Sequence, residues 1–341
     1  MNPPDSRTVR RLLPGWLLGL AILMLPLWTF PSQAVETPSI ITVLGASGED
    51  AYSTNFLSQV RQWKSISAES HARLVEIGTD SNPKTNDLTA LGDTLRLEPK
   101  DGADPLWLIL IGHGTFDGHD ARFNLRGPDL SAAQLAAWLQ PFRRIVVVID
   151  TTSGSAPFIN TLSATNRVII SATKSGNELN FARFGQYLAE ALSNPASDLD
   201  HDGSISLLEI FLAAAARVRE FYQTENRLVT EHALIDDNGD QKGTPAEWFR
   251  GVRVTQAPKD GSKPDGLLAN RIFLKPDPSE QNWTPEVRAG RDRLEDAIQE
   301  LREKKSAMAE TEYLKKLETL LLELAEIYEA GSTNSSAPRT H

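Results

Sequence analysis

Acidic side chains recur at every second position in one segment of the chain. Asp198, Asp200 and Asp202 are followed by Gly203 and, at the twelfth position of the segment, by Glu209. This order matches the EF-hand loop, in which oxygen ligands wrap one Ca²⁺ and a glycine makes the sharp turn. The spacing therefore predicts a calcium site with the ligands Asp198, Asp200, Asp202, Ser204, Ser206 and Glu209.

The same segment permits an interpretation without an ion. Ser206 and Glu209 have the spacing of a capping box, which starts a helix by satisfying its first backbone N–H groups. The segment would then be an acidic turn before a helix. Helical patterns at 181–192 and 207–222 favour the calcium interpretation, because they supply the incoming and outgoing helices of an EF-hand.

A second acidic loop lies further along the chain. Its oxygen-bearing residues at the corresponding positions are Asp236, Asn238, Asp240, Lys242 and Glu247. Gln241 replaces the glycine of the motif, and Pro245 lies inside the loop. Two interpretations stay open, a degenerate second calcium site and an Asn-Gly turn with solvated carboxylates.

Two other loops carry groups that could perform nucleophilic catalysis. His113 follows one apolar run, and the hydroxyl residues Thr151, Thr152 and Ser153 follow the next. A histidine that takes the proton of a Ser or Thr hydroxyl forms a nucleophile–base pair. The alternative is structural, because glycines beside the histidine make tight turns and hydroxyl groups cap a following helix.

Short apolar runs and amphipathic segments alternate along the chain and must position these loops. The apolar runs predict buried strands at 40–44, 73–77, 106–111, 144–149 and 167–170. Helical spacing predicts further helices at 51–65, 87–97 and 131–139, the last capped by Ser131. This alternation indicates an α/β fold, in which helices cover both faces of a parallel sheet. Functional side chains are then expected on loops at the carboxyl ends of the strands.

The segment from about Ile40 to Glu247 resembles the caspase/legumain-type cysteine peptidases. LILIGHG (108–114) resembles the family's histidine segment, VVVIDTTSGS (146–155) its nucleophile segment, and RVIISATKSGNE (167–178) the strand and loop beside its specificity pocket. The resemblance implies that His113 takes the place of the catalytic histidine. Thr151 or Thr152 then stands where the family has its cysteine, and Ser153 lies one or two residues away.

The chain contains no cysteine, so the family's thiol nucleophile is missing. An alcohol, unlike a thiol, needs a strong local base and an oxyanion hole to act at neutral pH. The resemblance and the composition together predict an inactive peptidase domain that acts in binding or scaffolding. The alternatives are a hydrolase that uses His113 with Thr151, Thr152 or Ser153, and a membrane-anchored assembly factor.

Residues 1–34 have the pattern of a secretory signal peptide. Three arginines precede an apolar run from Leu12 to Phe30, and small residues follow at the positions that signal peptidase reads. The run is also near the length that spans a bilayer, so an uncleaved anchor is the alternative. The sequence therefore predicts an exported protein, periplasmic or secreted, which contacts a membrane only if this segment remains.

The composition limits the partners of the protein. Its 45 acidic residues exceed its 35 basic residues, whereas a nucleic-acid binder needs clustered Lys and Arg. Calcium is the one cofactor that the sequence predicts. The absence of cysteine also excludes disulfides and Cys-ligated metals.

The sequence of the C-terminal third predicts a helical appendage that follows the α/β domain (35–250) along the chain. A linker (251–284) rich in Pro and Gly leads to helical patterns over 285–330, which Thr284 and Pro285 begin. The apolar stripe changes phase near 309–312, which favours two helices folded back as a hairpin over one long coiled-coil rod. Gly331 predicts the helix end, and 331–341 a disordered tail. We expect an unknown protein partner at the hairpin.

Overall fold

Strands and helices alternate in the part of the chain that the computed structural model describes, residues 38–275 and 283–335. The strands are β1 (Ser39–Leu44), β2 (Arg73–Ile77), β3 (Leu106–Ile111), β4 (Gly114–Phe116), β5 (Ala121–Phe123), β6 (Leu130–Ser131), β7 (Val146–Asp150), β8 (Arg167–Ser171), β9 (Leu234–Asp236), β10 (Thr244–Pro245), β11 (Phe249–Arg250) and β12 (Arg253–Val254). The helices are α1 (Asp50–Glu69), α2 (Asp87–Leu97), α3 (Ala132–Leu139), α4 (Ala156–Leu162), α5 (Phe184–Ala191), α6 (Leu207–Thr224), α7 (Pro285–Glu303) and α8 (Glu310–Ser335). None of these helices is long and apolar enough to cross a membrane. The predicted signal segment, 1–34, and the end of the tail lie outside the described residues.

A seven-stranded sheet, in the order β10-β9-β8-β7-β3-β1-β2, forms the centre of the protein. Its first five strands along the chain run parallel, whereas β9 and β10 are antiparallel to their neighbours. Strands β1, β3, β7 and β8 are buried throughout, because α1, α5 and α6 pack on one face and α2, α3 and α4 on the other. The predicted α/β fold, a parallel sheet with helices on both faces, is confirmed.

The predicted helices of this domain differ from the observed ones mainly at their ends. Helix α2 has the predicted bounds, and the Ser131 hydroxyl caps α3 by accepting a hydrogen bond from the Gln134 N–H (3.1 Å). Helix α5 begins at Phe184 rather than at Phe181. The ring of Phe181 instead stacks on Tyr52 of α1, with 5.2 Å between ring centroids.

A buried carboxylate fixes the start of α5, the helix that leads into the first acidic loop. Glu231 is 2% exposed. It accepts hydrogen bonds from the backbone N–H groups of Arg183 (2.7 Å) and Phe184 (3.0 Å) and from the Tyr222 hydroxyl (3.2 Å). Burial is the main cause that raises the pKa of Glu231 to about 7, against the smaller opposing effect of these donors.

The two C-terminal helices form an antiparallel hairpin, as the change of phase predicts. Trp283, just before α7, meets Tyr328 near the end of α8, with ring centroids 5.0 Å apart. The prediction that Gly331 ends the helix is wrong, because α8 continues to Ser335. A Cβ atom at Gly331 would lie 2.3 Å from the Trp283 indole nitrogen, so this glycine permits a close contact between the helix and Trp283.

Glu231→Gln is expected to remove a pH dependence of stability. The carboxyl of Glu231 has a pKa of about 7 in the folded protein and an ordinary value of 4.5, which applies in the unfolded chain. At a pH between these two values, this carboxyl is protonated more often in the folded protein than in the unfolded chain. The wild-type free energy of unfolding should therefore fall as the pH rises through this window, by an amount on the order of 3 kcal/mol.

Urea unfolding at several pH values measures this slope. Glutamine keeps the size of the side chain and does not titrate, so the slope should flatten in Glu231→Gln. Glu220→Gln, at an exposed position on α6, is the matched control and should keep the wild-type slope. The same slope in the wild type and in Glu231→Gln would contradict this account.

Candidate functional site

His113 follows β3, as predicted, and its ring lies among aromatic side chains of α1. Its ring centroid is 4.9 Å from that of Tyr52 and 5.1 Å from that of Phe56, both in edge-on geometry. The ring nitrogen Nε2 lies 3.1 Å from the Ser47 carbonyl oxygen. Since a carbonyl can only accept a hydrogen bond, Nε2 carries a proton in this contact. With its proton on Nε2, the neutral ring could act as a base only through Nδ1.

The hydroxyl residues after β7 are buried. The exposed fractions are 5% for Thr151, 1% for Thr152 and 7% for Ser153. The Thr151 hydroxyl donates to the Leu110 carbonyl oxygen (2.8 Å), and the Thr152 hydroxyl donates to Asp150 Oδ1 (2.7 Å). Both threonine hydroxyl protons thus take part in hydrogen bonds that hold the end of the sheet together.

Asp150, the last residue of β7, is fully buried beneath these hydroxyls. Burial raises its pKa to about 6, although the backbone N–H and the hydroxyl of Thr152 both stabilise its charged form. Its second oxygen, Oδ2, has no hydrogen-bond partner among the described residues. The Asp150–Thr152 pair is therefore closed to solvent.

A cleft of about 400 Å³ opens at this end of the sheet. Its lining includes Phe116, His119, Asp120 and Lys174, but neither His113 nor residues 151–153. The loop after β8 packs against Phe116, and a Cβ atom at Gly176 would lie 2.1 Å from that ring. This cleft therefore does not reach the predicted catalytic residues.

The first acidic loop joins α5 to α6 and brings three predicted calcium ligands together. Asp198, Asp200 and Asp202 each place one carboxylate oxygen within 4.8 Å of the others. His201 (φ 62°) and Gly203 (φ 94°) adopt the left-handed conformation that bends the loop around this point. Oδ1 of Asp198 is buried and has no hydrogen-bond partner in the described part of the chain.

Glu209, the predicted twelfth ligand, is 1% exposed and joins both ends of this loop. Its Oε1 accepts hydrogen bonds from the N–H groups of Leu199 (2.6 Å) and Asp200 (3.3 Å). Its Oε2 accepts from the N–H (2.8 Å) and the hydroxyl (2.9 Å) of Ser206. Ser206 and Glu209 also form a capping box at the start of α6, so the capping interpretation of these two residues is correct.

The first loop concentrates negative charge. Asp200 and Asp202 are exposed, but partial desolvation within the loop, together with the neighbouring carboxylates, raises the pKa of Asp200 and raises that of Asp202 to about 6. The Ser204 N–H, which donates to Asp202 Oδ1 (2.8 Å), partly opposes the shift at Asp202. A dense set of oxygen donors with excess negative charge suits a hard divalent cation such as Ca²⁺.

The second acidic loop joins β9 to β10 and gathers a set of carboxylates that differs from the predicted one. Asp236, Asp240 and Asp265 each place one carboxylate oxygen within 4.8 Å of the others. Glu247, predicted from the spacing, is exposed and lies outside this group. The sequence offers no signal for Asp265, because it lies in the irregular segment after β12.

Solved structures that resemble this chain include two caspases. The Drosophila initiator caspase Dronc is 10% identical with a TM-score of 0.40, and the match covers 61% of this chain and 81% of the caspase. Caspase-1 from Spodoptera frugiperda is 12% identical with a TM-score of 0.36, covering 59% and 86%. A protein from Geobacter sulfurreducens is 14% identical with a TM-score of 0.37, covering 53% and 89%. No protein-family model and no curated protein matches the sequence.

Thr152→Val is expected to destabilise the fold, because it removes a donor to the buried carboxylate of Asp150 while keeping the side-chain shape. The free energy of unfolding should fall by about 1–3 kcal/mol. Thr161→Val is the matched control, since the Thr161 hydroxyl is exposed and donates to the Pro157 carbonyl oxygen (3.3 Å). Its effect should stay within about 0.5 kcal/mol. Equal effects of the two substitutions in urea unfolding would refute the structural role of the Thr152 hydroxyl.

Proposed function

We propose that this chain is an exported calcium-binding protein whose caspase-like domain acts in binding and has no peptidase activity. One contrast carries this proposal. The loop from Asp198 to Glu209 holds three carboxylates around one point, whereas the threonine hydroxyls at the predicted nucleophile position are buried and donate to acceptors other than His113. Export is supported by the signal-peptide pattern of residues 1–34.

The position of the predicted catalytic segments supports the caspase-like assignment. Strands β3 and β7 are parallel neighbours, and Leu110 lies opposite Asp150 in their register. His113 and Thr151 therefore follow two adjacent strands at the same edge of the sheet. The resemblance to caspase/legumain-type peptidases implies this placement for a catalytic histidine and its nucleophile.

The hydrogen bonds of these residues support an inactive domain. An alcohol attacks a peptide only if a base takes its proton and the hydroxyl reaches the substrate. The Thr152 hydroxyl already donates to Asp150, and the residue is 1% exposed. With no cysteine in the sequence, a threonine hydroxyl would have to change both its hydrogen-bond partner and its exposure before it could attack a peptide.

The full chain is therefore expected to show no hydrolysis of a peptide-substrate library and no labelling by a fluorophosphonate probe. Wild type and His113→Ala should give the same background signal. His119→Ala, at an exposed histidine, serves as the control. Labelling of the wild type that persists in His119→Ala and disappears in His113→Ala would establish the hydrolase alternative instead.

The calcium proposal is supported by the physical cost of the acidic loop without a cation. Three carboxylates whose ligand oxygens lie within 4.8 Å of one another repel, and this repulsion adds to desolvation, the larger cause, in raising the pKa of Asp202. A bound Ca²⁺ would replace that repulsion with attraction and supply a partner for the buried Asp198 Oδ1. The ligands would be the six side chains and carbonyls that the sequence predicts.

Isothermal titration calorimetry on the full chain is expected to detect calcium binding that depends on this loop. Asp200→Asn and Asp202→Asn should each weaken binding to the loop at least about tenfold, because each removes one negative charge from the group. Asp93→Asn, at an exposed aspartate of α2, should bind as the wild type does. Calcium binding that is unchanged in Asp200→Asn and Asp202→Asn would contradict the assignment of this loop.

A further inference from the structure

The second acidic loop contains a carboxylate that the protein leaves incompletely satisfied. Asp236 ends β9 and is 1% exposed. Its Oδ1 accepts a hydrogen bond from the Gly239 N–H (3.1 Å), and the Ser163 hydroxyl lies beside the carboxylate. Its Oδ2 is buried and has no hydrogen-bond partner among the described residues. A buried unpaired carboxylate oxygen is costly unless a proton, a water molecule or a cation compensates it.

The same feature occurs at the first position of both acidic loops. Asp198 begins the first loop and also has one buried oxygen, Oδ1, without a partner in the described residues. In each loop this aspartate belongs to a group of three carboxylates whose ligand oxygens lie within 4.8 Å of one another. The two loops therefore present the same unsatisfied acceptor at the same position.

Asp265 lies outside the second loop in the sequence, but its carboxylate is hydrogen-bonded to residues at both ends of the loop. It is 5% exposed. Its Oδ1 accepts hydrogen bonds from the N–H groups of Asp237 (3.0 Å) and Asn238 (3.3 Å). Its Oδ2 accepts from the N–H (3.1 Å) and the hydroxyl (2.7 Å) of Thr244. The carboxylate of Asp265 thus joins the beginning of the loop to its end.

Four groups of the second loop donate hydrogen bonds to Asp265. They occupy the same loop positions as the four groups that donate to Glu209 in the first loop. Counted from the first aspartate, they are the N–H groups at positions 2, 3 and 9 and the hydroxyl at position 9. In the first loop, position 9 is Ser206 and the carboxylate belongs to Glu209. In the second loop, position 9 is Thr244 and the carboxylate belongs to Asp265. Asp265 is therefore the spatial counterpart of the twelfth-position glutamate.

The backbone of the second loop follows the same path. Its positions 4 and 6, Gly239 (φ 79°) and Gln241 (φ 68°), are left-handed, as are His201 and Gly203 in the first loop. Position 3 accepts from the N–H of position 5, and position 5 accepts from that of position 7, in both loops. Gln241 adopts the left-handed conformation, although a glycine would adopt it at a lower energetic cost. The second loop therefore has the backbone shape of the motif without the motif's glycine.

We propose that the loop from Asp236 to Thr244 and Asp265 form a second calcium site, in which Asp265 takes the place of the absent twelfth-position ligand. The other ligands would be the side chains of Asp236, Asn238 and Asp240 and the carbonyl of Lys242. This proposal extends the proposed calcium binding to a second, separately testable site. A cation bound there would tie the segment that carries Asp265 to the β9–β10 edge of the sheet.

Native mass spectrometry of the full chain with added CaCl₂ tests this proposal by counting bound ions. The wild type is expected to bind two. Asp265→Asn and Asp240→Asn should each bind one ion, at the first loop. Glu247→Gln, which changes the ligand that the spacing alone predicts, should keep both. Asp240→Asn keeps the proposal testable if Asp265→Asn does not fold, because Asp240 is less buried and makes fewer hydrogen bonds than Asp265.

This experiment tests the two proposed calcium sites separately. Asp202→Asn should lose the ion of the first loop and keep that of the second. One ion in the wild type, kept in Asp240→Asn and lost in Asp202→Asn, would overturn the second site and leave the first intact. Loss of an ion in Asp240→Asn but not in Asp202→Asn would support the second site while removing the first. An ion lost in Glu247→Gln and kept in folded Asp265→Asn would also overturn the role of Asp265.

Discussion

The carboxylate of Glu209 holds together the part of the molecule on which its proposed function depends. Buried to 1% exposure, it accepts two hydrogen bonds from the beginning of the acidic loop and two from Ser206 at its end. The loop is therefore folded by its own hydrogen bonds, so a cation would not have to order it. The sequence presents the capping box and the calcium loop as alternatives, but both involve Glu209. On binding Ca²⁺, Glu209 would exchange some of these hydrogen bonds for contacts with the metal.

The sheet supplies the rigid frame around this interaction. Helices α5 and α6 pack on the same face, with the rings of Phe184 and Phe211 6.2 Å apart, so they fix the two ends of the acidic loop. The same sheet brings His113 and Asp150 to neighbouring strand ends. Their side chains then serve the core, because His113 contacts Tyr52 and Phe56 and the buried Asp150 accepts from Thr152. The side chains at these two strand ends are thus used for packing and for hydrogen bonds within the domain.

Periodicity in the sequence predicts the large elements well, because long apolar patterns determine which faces are buried. Short strands such as β4, β5 and β9 are missed, since two or three residues carry no detectable period. The first acidic loop is local in sequence, so its spacing alone brings Asp198, Asp200 and Asp202 together. Asp265 could not be predicted, because only the tertiary fold brings its segment to the second loop. The orientation of the His113 ring depends on Ser47 and the aromatic residues of α1 in the same way.

A crystal structure of the full chain grown in saturating CaCl₂ tests the central claim most directly, through the state of Glu209. The account predicts an ion in the first loop with ligand distances of about 2.3–2.6 Å, bound by Asp198, Asp200 and Asp202, with the Glu209 carboxylate turned toward it. A loop without an ion under these conditions, with Glu209 still accepting both hydrogen bonds from Ser206, would contradict it.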